Sequence, residues 1–139
     1  MSAQSGKTAL IVSLTQSSAQ AMRAAMTAAR DAGADIVECR LDYLASRDEA
    51  ALRALLTEPP LPVIATCRPV RQGGCFSGSE TDRLSVMAAA RELGATWVDV
   101  EDDVPLEAMR DTAFSPRENP LLPQGANSPP RIPVICSKC

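Results

Sequence analysis

Four places along the chain put a hydroxyl or charged side chain where a short apolar run ends. They are Ser13, the pair Glu38 and Arg40, Arg68, and the acids Asp99 and Glu101. The densest is Asp35-Ile36-Val37-Glu38-Cys39-Arg40-Leu41-Asp42. Read as a strand, it turns Glu38, Arg40 and Asp42 to one face and Val37, Cys39 and Leu41 to the other. Charges on an inward face must be paired or must wait for a ligand. A carboxylate such as Glu38 suits hydroxyl donors. The forked guanidinium of Arg40 suits a ligand oxygen, or positions that carboxylate. The chemistry indicated is the gripping of a small polar molecule. The competing reading is a structural ion pair between Glu38 and a basic neighbour.

Other chemistries find less support. There is no histidine, the usual proton shuttle near neutral pH, and the lysines are Lys7 and Lys138 alone. Gly6-Lys7-Thr8 imitates the end of a phosphate loop, but the strand follows it instead of preceding it. Cys136 and Cys139 form a lone Cys-x-x-Cys pair, short of the four ligands of a zinc site, so no metal and no other cofactor is expected. A net charge of −3 and only four aromatic residues (one Trp, one Tyr, two Phe) argue against a nucleic-acid partner. No apolar run is long enough to span a membrane. Five cysteines without a secretory leader point to reduced thiols and a cytoplasmic protein. A plastid is the alternative, since the residues ahead of Arg23 are rich in Ser and Ala and lack acids.

The elements that must position these side chains alternate. Strands are expected over 8–14, 35–41, 62–66 and 97–100. Ser17 or Ser18 caps a helix to about Ala32, with Ala21, Ala25 and Ala28 beside Met22 and Met26 as its packing stripe. Ser46 or Asp48 opens a second helix that buries Leu52, Leu55 and Leu56, and Ser79 or Thr81 opens a third that Gly94 ends. Strand–helix alternation with short connections predicts parallel strands. No glycine-rich turn follows the first strand, which disfavours an open dinucleotide-binding sheet. A (β/α)8 TIM barrel, of which this chain supplies about the first half (four to five β/α units), fits better. Such barrels gather reactive groups at the carboxyl ends of their strands, where Ser13, Glu38, Arg40, Arg68, Asp99 and Glu101 all fall. Residues 102–133 hold seven of the eleven prolines and read as irregular; 134–139 resume strand character.

Three stretches in one collinear order carry a family resemblance. They are Ala34-Asp35-Ile36-Val37-Glu38-Cys39-Arg40-Leu41-Asp42, Pro62-Val63-Ile64-Ala65-Thr66-Cys67-Arg68-Pro69 with Gly73-Gly74, and Leu93-Gly94-Ala95-Thr96-Trp97-Val98-Asp99-Val100-Glu101. With Leu10-Ile11-Val12-Ser13-Leu14 ahead of them, they resemble type I 3-dehydroquinate dehydratase, the Schiff-base lyase of the shikimate pathway, sometimes fused to shikimate dehydrogenase. The resemblance implies residues 1–101 as the amino-terminal half of that barrel, and 134–139 as a truncated fifth strand. It implies 3-dehydroquinate as the small-molecule substrate, bound by Glu38, Arg40, Arg68 and Ser13. It also implies a lysine that forms an imine and a histidine that moves the proton. Neither lysine stands at the matching place, and Cys139 stands where the histidine belongs, so no catalytic residue is assigned and the 139 residues are expected to be inactive alone. The alternative is a non-catalytic half-barrel that self-associates, as a homodimer, or binds a partner chain through its open strand edges. A different (β/α)8 enzyme that uses Glu38 and Arg68 for a phosphate ester is a third reading.

Overall fold

The computed structural model describes residues 8–101, 103–105, 107–108 and 134–135. The expectations that fall on Lys7, Lys138, Cys136 and Cys139, and on most of 102–133, lie outside them.

Five parallel strands form one sheet in chain order: β1 (Ile11–Leu14), β2 (Ile36–Arg40), β3 (Val63–Thr66), β4 (Trp97–Asp99) and β5 (Val134–Ile135). Helices α1 (Ala19–Asp31), α2 (Glu49–Leu56) and α3 (Glu80–Leu93) make the crossovers among the first four. A parallel sheet built in strict sequence order, each strand beside the last, is the arrangement of a β/α barrel and not of a doubly wound sheet.

The caps follow the sequence. Ser18, Asp48 and Ser79 accept the backbone N–H groups of Ala21, Ala51 and Asp82, so Ser17, Ser46 and Thr81 are not the capping residues. Gly94 ends α3 at φ 141, and a Cβ there would stand 2.1 Å from the Leu56 carbonyl oxygen. The end of α2 is closed by a cation from its neighbour. Arg23 of α1 donates to the carbonyls of Leu55 (2.9 Å), Thr57 (2.7 Å) and Glu58 (2.7 Å), which a helix C-terminus would otherwise leave unsatisfied.

Helices α1, α2 and α3 lie against one face of the sheet. Met22, Met26 and Ala29 of α1, Leu52, Leu55 and Leu56 of α2, and Leu84, Met87, Ala88 and Ala90 of α3 pack on Val37, Cys39, Val63, Ala65 and Val98. In the α1 stripe Met22, Met26 and Ala25 pack as expected, whereas Ala21 and Ala28 are exposed, because the two methionines centre the contact and Ala29 continues it at i+3 from Met26. Each fully buried Leu or Met contributes about 1.5–3 kcal/mol, so this layer is the main stabilising term. Burial also pushes the Cys39 and Cys67 thiols up to about 12 and holds them protonated.

Several expected boundaries shift. β1 begins at Ile11, and β4 ends at Asp99, leaving Glu101 past its end. β2 stops at Arg40, and Leu41–Tyr43 form a 3-10 turn, so Asp42 sits on that turn and not on the strand. The chain must turn there to reach α2, which begins eight residues after Leu41 at Glu49.

Candidate active site

Strand alternation and register decide which side chains meet on the face opposite α1, α2 and α3. Ser13 of β1 lies opposite Glu38 of β2, and Arg40 of β2, Thr66 of β3 and Asp99 of β4 form one row across the sheet. All are at or near the carboxyl ends of their strands. The core cluster under the helices contains none of them.

Glu38 is held by hydroxyls. The Ser13 Oγ–H donates to Oε1 at 2.7 Å, and the Thr66 Oγ1–H donates to Oε2 at 2.8 Å. Among the described residues no ion pair to Glu38 forms, and both oxygens of the carboxylate meet neutral donors from the two flanking strands. A carboxylate has about four lone-pair sites, so two neutral donors orient it and leave acceptor capacity. Thr66 is fully buried and was not among the expected site residues. Its signal was hidden, because a threonine ending Val-Ile-Ala-Thr reads as one more β-branched strand residue.

Arg40 does not position Glu38. Its fork closes on Asp42, with Nε to Oδ1 at 2.9 Å and a terminal nitrogen to Oδ2 at 2.8 Å, and its guanidinium carbon lies 4.9 Å from the centre of the Tyr43 ring. A two-point bond with a ring against the plane fixes the cation in one orientation. The hydrogen bond to Asp42 raises the Arg40 pKa further. Burial pushes the Asp42 carboxyl up, but the Arg40 fork and the backbone N–H groups of Cys75 and Arg68 outweigh it and hold the group below the ordinary carboxylate range.

Arg68 follows β3 and approaches Asp99, 3.5 Å from guanidinium nitrogen to Oδ2. It also begins the glycine-rich loop. The Phe76 N–H donates to the Arg68 carbonyl at 3.1 Å and the Gly74 N–H to the Pro69 carbonyl at 2.9 Å. A Cβ on Gly74 would stand 2.0 Å from the Arg68 carbonyl oxygen, so only glycine lets the loop fold back this closely.

Glu101, expected with the site, is directed elsewhere. Its Oε2 accepts from the fully buried Arg83 of α3 at 2.7 Å. Arg83 also donates to the Cys67 carbonyl at 2.9 Å and pairs with Glu80. Burial lowers the Arg83 pKa, but the pairing with Glu80 and Glu101 reverses this and raises it. Nearer solvent, Arg71 bridges Glu80 and Asp103, each at 3.0 Å, and the Gln72 amide donates to Asp103 at 3.2 Å. These pairs tie the glycine-rich loop to the start of α3 and to the segment after β4.

The structure therefore brings Ser13, Glu38, Arg40 and Arg68 to one end of the sheet, adds Thr66 and Asp42, and assigns Glu101 to a buried ionic cluster. A separate cleft of about 450 Å3 lies between α2 and α3, lined by Leu52, Ser85, Val86 and Ala89, on the helix layer. Among the described residues no three His, Cys, Asp or Glu side chains are placed to hold a metal ion. No described helix is long and apolar enough to cross a membrane.

Known proteins resemble the chain in sequence and in fold. Residues 10–120 match the family model of type I 3-dehydroquinase. The 3-dehydroquinate dehydratase of Methanothermobacter thermautotrophicus is 48% identical over 71 residues, covering 51% of this chain and 32% of the relative. The chloroplastic bifunctional 3-dehydroquinate dehydratase/shikimate dehydrogenase of Arabidopsis thaliana is 40% identical over 83 residues, covering 59% of this chain and 14% of the relative. In fold, the chain is similar to a type I 3-dehydroquinate dehydratase from Clostridium difficile, with TM-score 0.65 and 20% identity. That match covers 80% of this chain and 48% of the other. The chain thus spans less than half the length of the relatives described.

Proposed function

The chain belongs to the type I 3-dehydroquinase family, and from that premise we propose that it carries the substrate-gripping part of a 3-dehydroquinate dehydratase site. The observation that supports this most is Glu38, whose two oxygens are oriented by Ser13 and Thr66, with no ion pair to either one among the described residues. A carboxylate set in this way accepts hydroxyl donors from a polyhydroxylated ring. Arg40 at the end of the same strand and Arg68 just past the end of β3 supply positive charge toward a carboxylate or ketone oxygen of the same molecule. Asp99 keeps Arg68 at the mouth.

Elimination of water from 3-dehydroquinate removes a ring proton and expels a hydroxyl as water. The Schiff-base route needs a lysine amine to form an imine with the ketone and a group that moves the proton. These 139 residues hold Lys7, Lys138 and no histidine. We therefore assign them binding without turnover. The test is to incubate purified chain with 3-dehydroquinate, follow enone absorbance, and trap with borohydride. The reading expects calorimetric binding without absorbance growth or adduct. Absence of binding removes the gripping role, and robust turnover removes the inactivity.

One observation favours a second role. Leu10 and Ile11, at the open edge of the sheet, are 53% and 49% exposed. An unpaired strand edge with apolar side chains invites association with a second copy. Sedimentation over a range of concentrations tests it: a dimer is expected, and a monomer throughout contradicts it.

A further inference from the structure

Asp42 joins two parts of the mouth that otherwise belong to different elements. One is the Arg40 side chain at the end of β2, held by a two-point bond of 2.9 and 2.8 Å. The other is the glycine-rich loop. The Cys75 N–H donates to Oδ2 of the same carboxylate at 3.1 Å, and the Arg68 backbone N–H also bonds to Asp42. The carboxylate is thus met near both ends of the loop, at Arg68 where it leaves β3 and at Cys75 just before it closes on Phe76.

The placement is unusual for a carboxylate with a purely local role. Asp42 is 4% exposed, on a one-turn 3-10 segment, in a position to act as the hub of four donors. Removing such a group from water is costly unless every acceptor site is used, and here it is repaid by one guanidinium fork and two main-chain N–H groups. The Cys75 side chain is exposed, and its N–H bond to Asp42 ties that part of the loop to β2's end in addition to the bonds that Gly74 and Phe76 make within the loop.

We propose that Asp42 is a positioning residue that sets the Arg40 guanidinium and the Arg68 loop as one rigid unit, so that the two arginines meet a bound anion or hydroxyl together. The inference deepens the gripping role given above and rests on it. Arg40 is pre-aimed by the fork and by the Tyr43 ring, and Arg68 is pre-aimed because its own main chain is fastened to the same carboxylate. Binding then costs little ordering of long side chains.

The coupling is measurable without ligand. In the full chain labelled with 15N, hydrogen exchange is followed at the Arg40 Nε–H and the Cys75 amide, and 3-dehydroquinate affinity is measured alongside. Asp42→Asn is expected to speed exchange at both sites by about tenfold or more, since both bonds lose a charged acceptor. It is also expected to weaken binding by about tenfold, with amides of β1–β3 unchanged. Asp42→Glu, which keeps the charge, restores part of the affinity. Should Asp42→Asn not fold, Arg40→Lys reads the same link from the other side: losing the fork frees the carboxylate and deprotects the Cys75 amide. Unchanged Cys75 exchange in Arg40→Lys, or unchanged Arg40 and Cys75 exchange in folded Asp42→Asn, overturns the inference. Equal affinity of the wild type and Asp42→Asn also overturns it while leaving the gripping role intact. A wild type that binds nothing overturns that role itself, and the positioning role that rests on it.

Discussion

The decisive residue is Glu38, and its partners are what the structure adds. The sequence announces an inward carboxylate but does not say what meets it, because partners come from strands 25 and 28 residues away. Ser13 was legible as a polar group ending a strand. Thr66 was not, since threonine is as much a strand former as valine. The Thr66 hydroxyl should therefore matter more to binding than to folding. Thr66→Val keeps the shape and removes one hydrogen bond to a carboxylate, worth about 1.5–3 kcal/mol. It also frees one Glu38 oxygen. The expected result is several-fold weaker 3-dehydroquinate binding by calorimetry, with the urea midpoint changed by no more than that one bond implies.

At the scale of elements, helix caps and core faces were largely readable. Ser18, Asp48, Ser79 and Gly94 mark the helix ends because only a few residue types serve there. The Leu52, Leu55, Leu56 face of α2 emerged as spaced. In α1 the Met22, Met26 and Ala25 face emerged as spaced, whereas Ala21 and Ala28 proved exposed, because nearly every small residue there could pack and only the methionines have the bulk to choose. Arg83 was not legible, since a charged residue in the first turn of a helix reads as solvated. Its burial exists because Glu80, the Cys67 carbonyl and Glu101 come from three elements to meet it. Arg83→Met should cost about 3–5 kcal/mol in chemical unfolding, because it strands the buried Glu101 carboxylate. Replacing Glu101 by Gln in the same chain should recover part of that loss. Acid acts through the same pairs. The Glu80 carboxyl is held down mainly by Arg83, and the Asp42 carboxyl sits below its ordinary value despite burial. A carboxyl depressed by folding stabilises above its unfolded value, about 4, and that stability is lost as pH falls through the folded values. Urea midpoints should therefore fall between pH 5 and pH 2, and fall less in Asp42→Asn than in the wild type.

The described residues form a sheet with α1, α2 and α3 on one face and the candidate site on the other. Strand order followed from strand–helix alternation, because short right-handed crossovers leave few topologies. The face opposite α1, α2 and α3 carries Ser13, Glu38, Arg40, Thr66 and Asp99 on adjacent strands, and the glycine-rich loop brings Arg68 to the same end. What alternation could not reveal was the strut between strand end and loop, since Asp42 leaves the strand one residue after it stops being readable as one. The account turns on whether that end of the sheet recognises the substrate. The direct measurement is an amide and side-chain NMR titration of the 139-residue chain with 3-dehydroquinate. Saturable shifts at Ser13, Glu38, Arg40, Thr66 and Arg68, with the α2–α3 cleft silent, are the predicted result. No shifts at these residues, or shifts confined to Leu52, Ser85, Val86 and Ala89, would contradict it.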